Sequence, residues 1–385
     1  MNGNNGTDTS FDNFNCIDDF KDEALRKMSV PTKNYITSGA DAEITLRRNL
    51  TAFNCYVIRP FYMRDVSNID TSVSFTLGDD KYVLPLPFAI APTAFHRILS
   101  TDGETDTMMA ANKFKIPFIL STLATVSATE LGCQAPPDAT LWFQMYVFKD
   151  REITKRLIVN AVNAGFKALV LTVDTPQAGK RRKVGKDVFS LPDDLDLANM
   201  RGMFDKDTKE SMAIFKNTKY SAYFDDSLTW EIITWIRQVS NLPVIVKGVL
   251  REEDALSAIK CGASAIYVSN HGGRQLDTVP ATIQVLPEIV SAVNKIVPKV
   301  PVFVDCGFRT GSDAFKAIAL GADVVFLGRP ILYGLSVGGQ RGVERVLDLF
   351  KTEFERTMKC SGMVSIAEMK KTKNLVVKEH DVCKI

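Results

Sequence analysis

The chain has 385 residues, 45% of them hydrophobic and 24% charged, with a net charge of +2. That length and apolar content allow a large core, built either as one α/β barrel or as two smaller domains. The near-neutral balance gives no reason to expect nucleic acid or an anionic membrane surface as a partner, and no apolar run approaches the roughly 20 residues that cross a bilayer.

The polar start, Met1 to Ser10, lacks the apolar centre of a secretion signal, which fits a soluble intracellular protein. The 7 cysteines are scattered and include no C-x-x-C pair, so neither a disulfide framework nor a metal site is expected. Residues 1–16 read as a disordered leader and 17–385 as a single domain. From Ile17 to Met28, Phe20, Ala24 and Leu25 recur at helical spacing, and a second helical pattern runs from Tyr35 to Phe53 around the turn Thr37-Ser38-Gly39.

A series of short apolar runs follows, each bounded by turn residues: Pro87–Ala91, Pro117–Leu120, Leu141–Val147, Ala168–Val173, Pro243–Lys247, Ala265–Ser269, Pro301–Asp305 and Val324–Leu327. Helical patterns lie between them, at Ile153–Ala164, Trp230–Val239, Glu252–Lys260, Ile283–Ile296 and Ser312–Leu320. Continuous apolar strands alternating with helices imply a parallel sheet covered on both faces, and eight such units close a (β/α)8 TIM barrel. The gap between Val173 and Pro243 breaks the rhythm with Lys180-Arg181-Arg182-Lys183 and the charged stretch Asp205 to Glu210. A connection this long reads as a lid over the barrel mouth.

The C-terminal strand ends of such a barrel carry its chemistry. Here they hold Pro92-Thr93, Ser121-Thr122, Gln144 with Tyr146, Thr172 with Asp174, Lys247, Ser269 with His271, Asp305, and Gly328-Arg329. Eight converging polar sets suggest a cofactor together with a substrate. Loops after strands seven and eight often hold a phosphate, and Asp305-Cys306-Gly307-Phe308-Arg309-Thr310-Gly311 and Gly328-Arg329-Pro330 combine the glycines and arginines that task needs. The run Ser269-Asn-His-Gly-Gly-Arg-Gln-Leu-Asp277 places an imidazole and a guanidinium three positions apart at a strand end, which makes His271 a candidate base and Arg274 a candidate anion clamp. Taken singly, other readings stay open. His271 also fits a hydrogen-bonded loop side chain, Asp174 a helix N-cap before Pro176, Lys247 a strand-end charge, and Tyr35 a packing residue.

From about Asp18 onward the chain resembles the FMN-dependent 2-hydroxy-acid oxidases, the glycolate oxidase and hydroxyacid oxidase family. The resemblance rests on Ser269–Asp277, with support from Tyr35 and Ser38-Gly39-Ala40, Ala91-Pro92-Thr93-Ala94, Gln144-Met145-Tyr146, Thr172-Val173-Asp174-Thr175-Pro176, Val246-Lys247-Gly248 and Gly328-Arg329-Pro330. It implies that FMN lies against Ala91, Pro92, Thr93 and Ala94, with Ser121, Gln144, Thr172 and Ser269 at its polar edge. Lys247 would offset the negative charge of the reduced ring. Asp305, Gly307, Arg309, Gly328 and Arg329 would hold the ribityl phosphate.

The same resemblance implies that Arg181 and Arg274 grip the substrate carboxylate with help from Tyr35, that Tyr146 bonds the 2-hydroxyl, and that His271, paired with Asp174, removes a proton. Whether that proton leaves the α-carbon or the hydroxyl is open, since both routes use the same residues. Oxygen is the expected acceptor, giving hydrogen peroxide; the alternatives are a dehydrogenase with another acceptor and a ligand-sensing barrel without catalysis. A homotetramer is expected by the same likeness.

The chain also departs from the family. Leu123 stands where glycolate oxidases have a tryptophan, Ile36 follows Tyr35 where the plant enzyme has a second tyrosine, and Cys306 replaces a usual glycine and would crowd the phosphate loop slightly. Smaller aliphatic walls leave room for an acid longer than glycolate. The ending Cys383-Lys384-Ile385 has the small, basic, apolar pattern of a peroxisomal address read by an import receptor.

Overall fold

The computed structural model describes residues 11–184, 189–203 and 220–384. The expected leader residues 1–10, the charged stretch Asp205 to Glu210 and the terminal Ile385 lie outside the described residues. The eight apolar runs form strands β1 (Phe88–Ile90), β2 (Phe118–Ser121), β3 (Leu141–Met145), β4 (Ala168–Thr172), β5 (Val244–Val249), β6 (Ala265–Val268), β7 (Val302–Val304) and β8 (Val324–Leu327). All are parallel and close in sequence order, with Leu327 of β8 opposite Ile90 of β1. Nearly every strand residue is buried, as expected where helices cover the outside and side chains fill the inside.

The interior is aromatic. Trp142 of β3, Tyr267 of β6, Phe303 of β7 and Phe326 of β8 are buried, with ring centroids 5.8 Å apart for Trp142 and Phe303 and 4.6 Å for Tyr267 and Phe326. A hairpin of Val73–Leu77 and Asp80–Leu84 adds Phe75, 5.3 Å from Phe303, and Tyr82, 5.8 Å from Trp142. This packing fills the barrel axis beneath the catalytic end.

Of the expected helices, Glu252–Lys260 appears with the same bounds, and the others shift by a few residues, as at Arg151–Asn163 and Thr282–Val293. The pattern from Tyr35 to Phe53 divides into two helices, Val30–Thr37 and Ile44–Thr51. Between them Asp41 and Glu43 take left-handed backbone angles that no helix continues through. Phe11 and Phe14 pack 6.0 and 5.0 Å from Phe20, so packing already begins within the segment expected to be disordered.

The N-terminal helices are tied to the loop after β6. Asp277 accepts backbone N–H groups from Ala42, Ile44 and Thr45 at 3.1, 3.2 and 2.8 Å. It thereby caps the helix Ile44–Thr51, whose own N-cap residue makes no side-chain cap bond. Asn49 and Asn270 exchange side-chain amide bonds of 2.8 and 2.7 Å beside it.

Burial pushes the Asp277 carboxyl up, but the backbone donors outweigh it and hold the group at about 2. A carboxylate with a depressed folded pKa stabilises the fold above its unfolded value of about 3.9, and that contribution is lost as pH falls toward 2. Asp277→Asn should therefore cost on the order of 1–2 kcal/mol at pH 7 in urea unfolding, with the deficit shrinking between pH 4 and pH 2.

Candidate active site

The C-terminal ends of the strands open into one cavity. Its walls include Ala91, Pro92, Thr93 and Ala94 after β1, Ser121 and Leu123 at β2, and Gln144 and Tyr146 at β3. Thr172, Lys247, His271 and Arg274 continue it across β4 to β6, and Asp305, Gly307, Arg309, Gly328 and Arg329 close it at β7 and β8. Tyr35, from the helix Val30–Thr37, and Arg181, from the segment after β4, reach the same space. Two of the expected residues stand behind the wall. Asp174 backs His271, and Ser269 is wholly buried with its hydroxyl engaged by protein groups.

His271 sits in a turn of three successive left-handed residues, with φ of 58° at His271, 67° at Gly272 and 72° at Gly273. The two glycines are needed there. A Cβ on Gly272 would come 2.8 Å from Arg329 Nη1, and one on Gly273 would come 2.7 Å from the Leu46 backbone nitrogen. His271 accepts the strain that a side chain incurs at such angles. Its backbone N–H donates to Ser269 Oγ at 3.1 Å, and its Nδ1 lies 2.8 Å from Asp174 Oδ1. With Nδ1–H given to the carboxylate, the proton-accepting lone pair is on Nε2.

Three charged groups, Lys247, Asp305 and Asp174, surround this turn. The Lys247 Nζ donates to Ser269 Oγ at 3.2 Å and lies 3.9 Å from Asp305 Oδ2. Burial alone would lower its pKa, yet the charges of Asp305 and Asp174 prevail and raise it, so the ammonium persists. Burial likewise pushes Asp174 up, but His271 and Lys247 bring it below the usual carboxylate range. The His271 imidazole is held below its ordinary value, first by burial and then by Lys247 and Arg274, against the opposing pull of Asp174. It is therefore neutral, as a base must be, near pH 7.

Two guanidinium groups of the cavity gather on the Tyr35 ring. Arg181 and Arg274 hold their guanidinium carbons 4.9 and 4.8 Å from its centroid, and Arg274 Nη1 donates to the Tyr35 carbonyl at 2.7 Å. Arg181 Nη1 is buried without a partner. A buried cationic N–H without an acceptor is costly, and a bound carboxylate would satisfy it.

Gln144 spans the other side, donating from Nε2 to Thr172 Oγ1 at 2.9 Å and accepting from Ser121 Oγ at 3.2 Å. Gly328 begins the helix Arg329–Ser361 without a side-chain cap, which leaves a helix N-terminus beside Arg309 for an anion. Arg329 is more occupied than a plain phosphate ligand. It donates to the carbonyls of Ile36, Gly272 and Ser38 at 2.8, 2.9 and 3.0 Å, joining the N-terminal segment to the His271 turn. Three of its five N–H groups are thereby taken, and the others remain for an anion. The Cys306 thiol is likewise engaged. It donates to Asp305 Oδ1 at 2.8 Å and accepts the Gly272 N–H at 3.0 Å, and burial followed by Asp305 keeps it protonated.

Some contributors carry no signal in the sequence reading. Asn199 donates to the carbonyls of Ser121 and Thr122 at 3.2 and 3.3 Å, and so joins the segment after β4 to the end of β2. Buried Glu104 accepts from His96 N, Thr125 N and Thr125 Oγ1 at 3.0, 2.9 and 2.7 Å. His96, fully buried with its pKa lowered by that burial, bonds Thr93 Oγ1 at 2.6 Å and is a structural imidazole.

Residues 24–376 match the model of the FMN-dependent dehydrogenase family. The chain belongs to that family. It is 41% identical to 2-hydroxyacid oxidase 2 of Bos taurus, covering 92% of this chain and 96% of that protein. It is 40% identical to 2-hydroxyacid oxidase 1 of Homo sapiens, with 93% and 95% covered, and 40% identical to a peroxisomal (S)-2-hydroxyacid oxidase of Arabidopsis thaliana, with 95% and 97% covered. Among solved structures, an active chimera of (S)-mandelate dehydrogenase superposes with a TM-score of 0.85 at 33% identity, covering 95% of this chain and 100% of that one.

The cavity fits FMN. It offers a buried ammonium at one edge, an amide and hydroxyls at β2 to β4, and an uncapped helix start beside Arg309. Because Asp174 raises the His271 pKa against burial, Asp174→Asn should move the acidic limb of the rate of anaerobic flavin reduction to lower pH by about one unit. The plateau rate should also fall, since a weaker base accepts the proton less readily.

Proposed function

We propose that the protein oxidises a 2-hydroxy acid to the 2-oxo acid, with oxygen reduced to hydrogen peroxide. The observation that carries this reading is the convergence, in one cavity, of a neutral His271 backed by Asp174 at 2.8 Å and two guanidinium groups on the Tyr35 ring. Arg181 and Arg274 bind the carboxylate and fix the acid in one orientation, while Tyr146 faces its hydroxyl. His271 Nε2 takes the proton, and the Asp174 carboxylate stabilises the imidazolium that results. FMN, when bound, supplies the two-electron acceptor that amino-acid side chains lack. Oxygen as the final acceptor is supported by the names of the relatives, which are oxidases.

The expected flavin contacts at Ala91–Ala94, Ser121, Gln144 and Thr172, and the phosphate contacts at Asp305, Gly307, Arg309, Gly328 and Arg329, belong to the same reading. Ser269 acts from behind, through Lys247 and the His271 backbone. A homotetramer, implied by the family resemblance, is part of it as well.

Ile36 and Leu123, both buried in the cavity wall, favour an acid with an apolar chain longer than that of glycolate. Anaerobic mixing with glycolate, lactate and longer 2-hydroxy acids should bleach the flavin, fastest with the longer acids. His271→Ala should slow bleaching roughly 10²–10⁴-fold while FMN stays bound. Flavin that stays oxidised with every acid would end the proposal, and bleaching that survives His271→Ala would remove the base assignment. Leu123→Trp should shift preference toward glycolate by about tenfold in kcat/KM.

Delivery to the peroxisome is supported by the Cys383-Lys384-Ile385 pattern and by the name of the peroxisomal Arabidopsis thaliana relative. A fluorescent fusion that keeps this ending should be punctate and should become diffuse when the three residues are removed; an unchanged distribution would refute the address.

A further inference from the structure

Arg181 depends on a segment that belongs to no strand of the barrel. It lies beyond β4, where the described chain runs without helix or strand from Val173 until the short turn at Arg182–Val184. Its long side chain nevertheless reaches the cavity, with Nη1 buried and unpartnered and its guanidinium 4.9 Å from the Tyr35 centroid. A flexible side chain on such a segment points usefully only if its backbone is held down.

Polar ties contribute at the near end, where Asp41 N donates to the Lys180 carbonyl at 2.8 Å and Gly179 N donates to Gln275 Oε1 at 3.2 Å. The ion pairs of Arg182 with Asp41 and of Lys183 with Glu43 involve half-exposed cations and hold weakly in water. On the far side of Arg181 the anchor is of another kind. Phe189 is 2% exposed, with its ring inserted against two aromatics of the barrel mouth. It stacks on Tyr35 at 4.3 Å and 24°, and on Phe95 at 5.6 Å and 29°, while Tyr35 and Phe95 lie 5.4 Å apart.

Tyr35 is thus shared. It is the ring on which both guanidinium groups lie and also the surface that receives Phe189. Withdrawing Phe189 would free the segment that carries Arg181 and remove the packing that fixes the Tyr35 ring.

We propose that Phe189 is a positioning residue, a latch that seats Arg181 on Tyr35 so that Arg181 and Arg274 meet one carboxylate together. This rests on the reading of Arg181 and Arg274 as a carboxylate clamp. The aromatic stack makes the clamp rigid before the acid arrives, so binding does not have to order it. Phe189 is not among the residues that line the cavity.

The test measures oxalate affinity by perturbation of the flavin absorbance of the holoenzyme, for wild type, Phe189→Ala, Phe189→Leu, Arg181→Ala and the Phe189→Ala/Arg181→Ala double variant. Phe189→Ala should weaken oxalate about tenfold and raise KM for the hydroxy acid by a similar factor, with a smaller change in kcat and unchanged FMN content. Phe189→Leu, which keeps an apolar anchor, should recover most of the affinity. The double variant should bind oxalate no worse than Arg181→Ala alone, because Phe189 acts through Arg181.

Independent, multiplying losses in the double variant would overturn the latch, as would wild-type affinity in Phe189→Ala. If Arg181→Ala itself leaves oxalate affinity unchanged, the clamp reading fails and the latch fails with it. If Phe189→Ala does not retain FMN, Phe189→Val, alone and combined with Arg181→Ala, carries the same decision.

Discussion

At the mouth of the barrel, Asp305, Lys247 and Asp174 set charges of alternating sign side by side, and the row ends at the His271 imidazole. Isolated, none of these groups would stay ionised in such a place, because removing a charge from water costs several kcal/mol. Together they hold one another in defined states. Lys247 remains an ammonium because two carboxylates face it, and Asp174 remains a carboxylate because a cation and an imidazole face it. His271, at the end of the row, is left neutral with its free nitrogen toward the cavity. In the proposed reaction, the group that would take the proton and the ammonium that would face the reduced cofactor are both set before anything binds.

The positions of these groups depend on contacts that are not chemical in themselves. Asp277, Arg329 and the paired amides of Asn49 and Asn270 bind the N-terminal helices to the turn that carries His271. Tyr35 comes to the cavity on one of those helices, so the proposed base and the proposed anion clamp are placed by one set of bonds. The signature around His271 is therefore as much structural as catalytic. Gly272 and Gly273 shape the turn, Asn270 and Asp277 fasten it, and His271, Gly272, Arg274 and Gln275 line the cavity.

The barrel was legible in the sequence because a strand covered on both sides must be apolar along its whole length, and eight such runs stand out from the helical segments between them. The hairpin of Val73–Leu77 and Asp80–Leu84 was not read, although Gly78-Asp79 between alternating residues is a turn signal. The helix Arg329–Ser361 was hidden by its glycines. Gly338 and Gly339 break its angles, and Gly334 and Gly342 let two of its turns approach closely. In the site, the pairing of His271 with Arg274 could be read directly from their spacing. The partnership of His271 with Asp174, 97 positions away, came only through resemblance. Asn199 and Phe189 could not be found, because a polar or apolar residue in a long connection has no periodicity to betray what it packs against.

The aromatic filling of the barrel has a consequence for traffic. With Trp142, Tyr267, Phe303 and Phe326 closing the axis and the hairpin lying below them, there is no passage through the barrel. Whatever enters at the strand ends must leave by the same opening. In the proposed reaction the 2-oxo acid would therefore leave through the opening by which the hydroxy acid arrives.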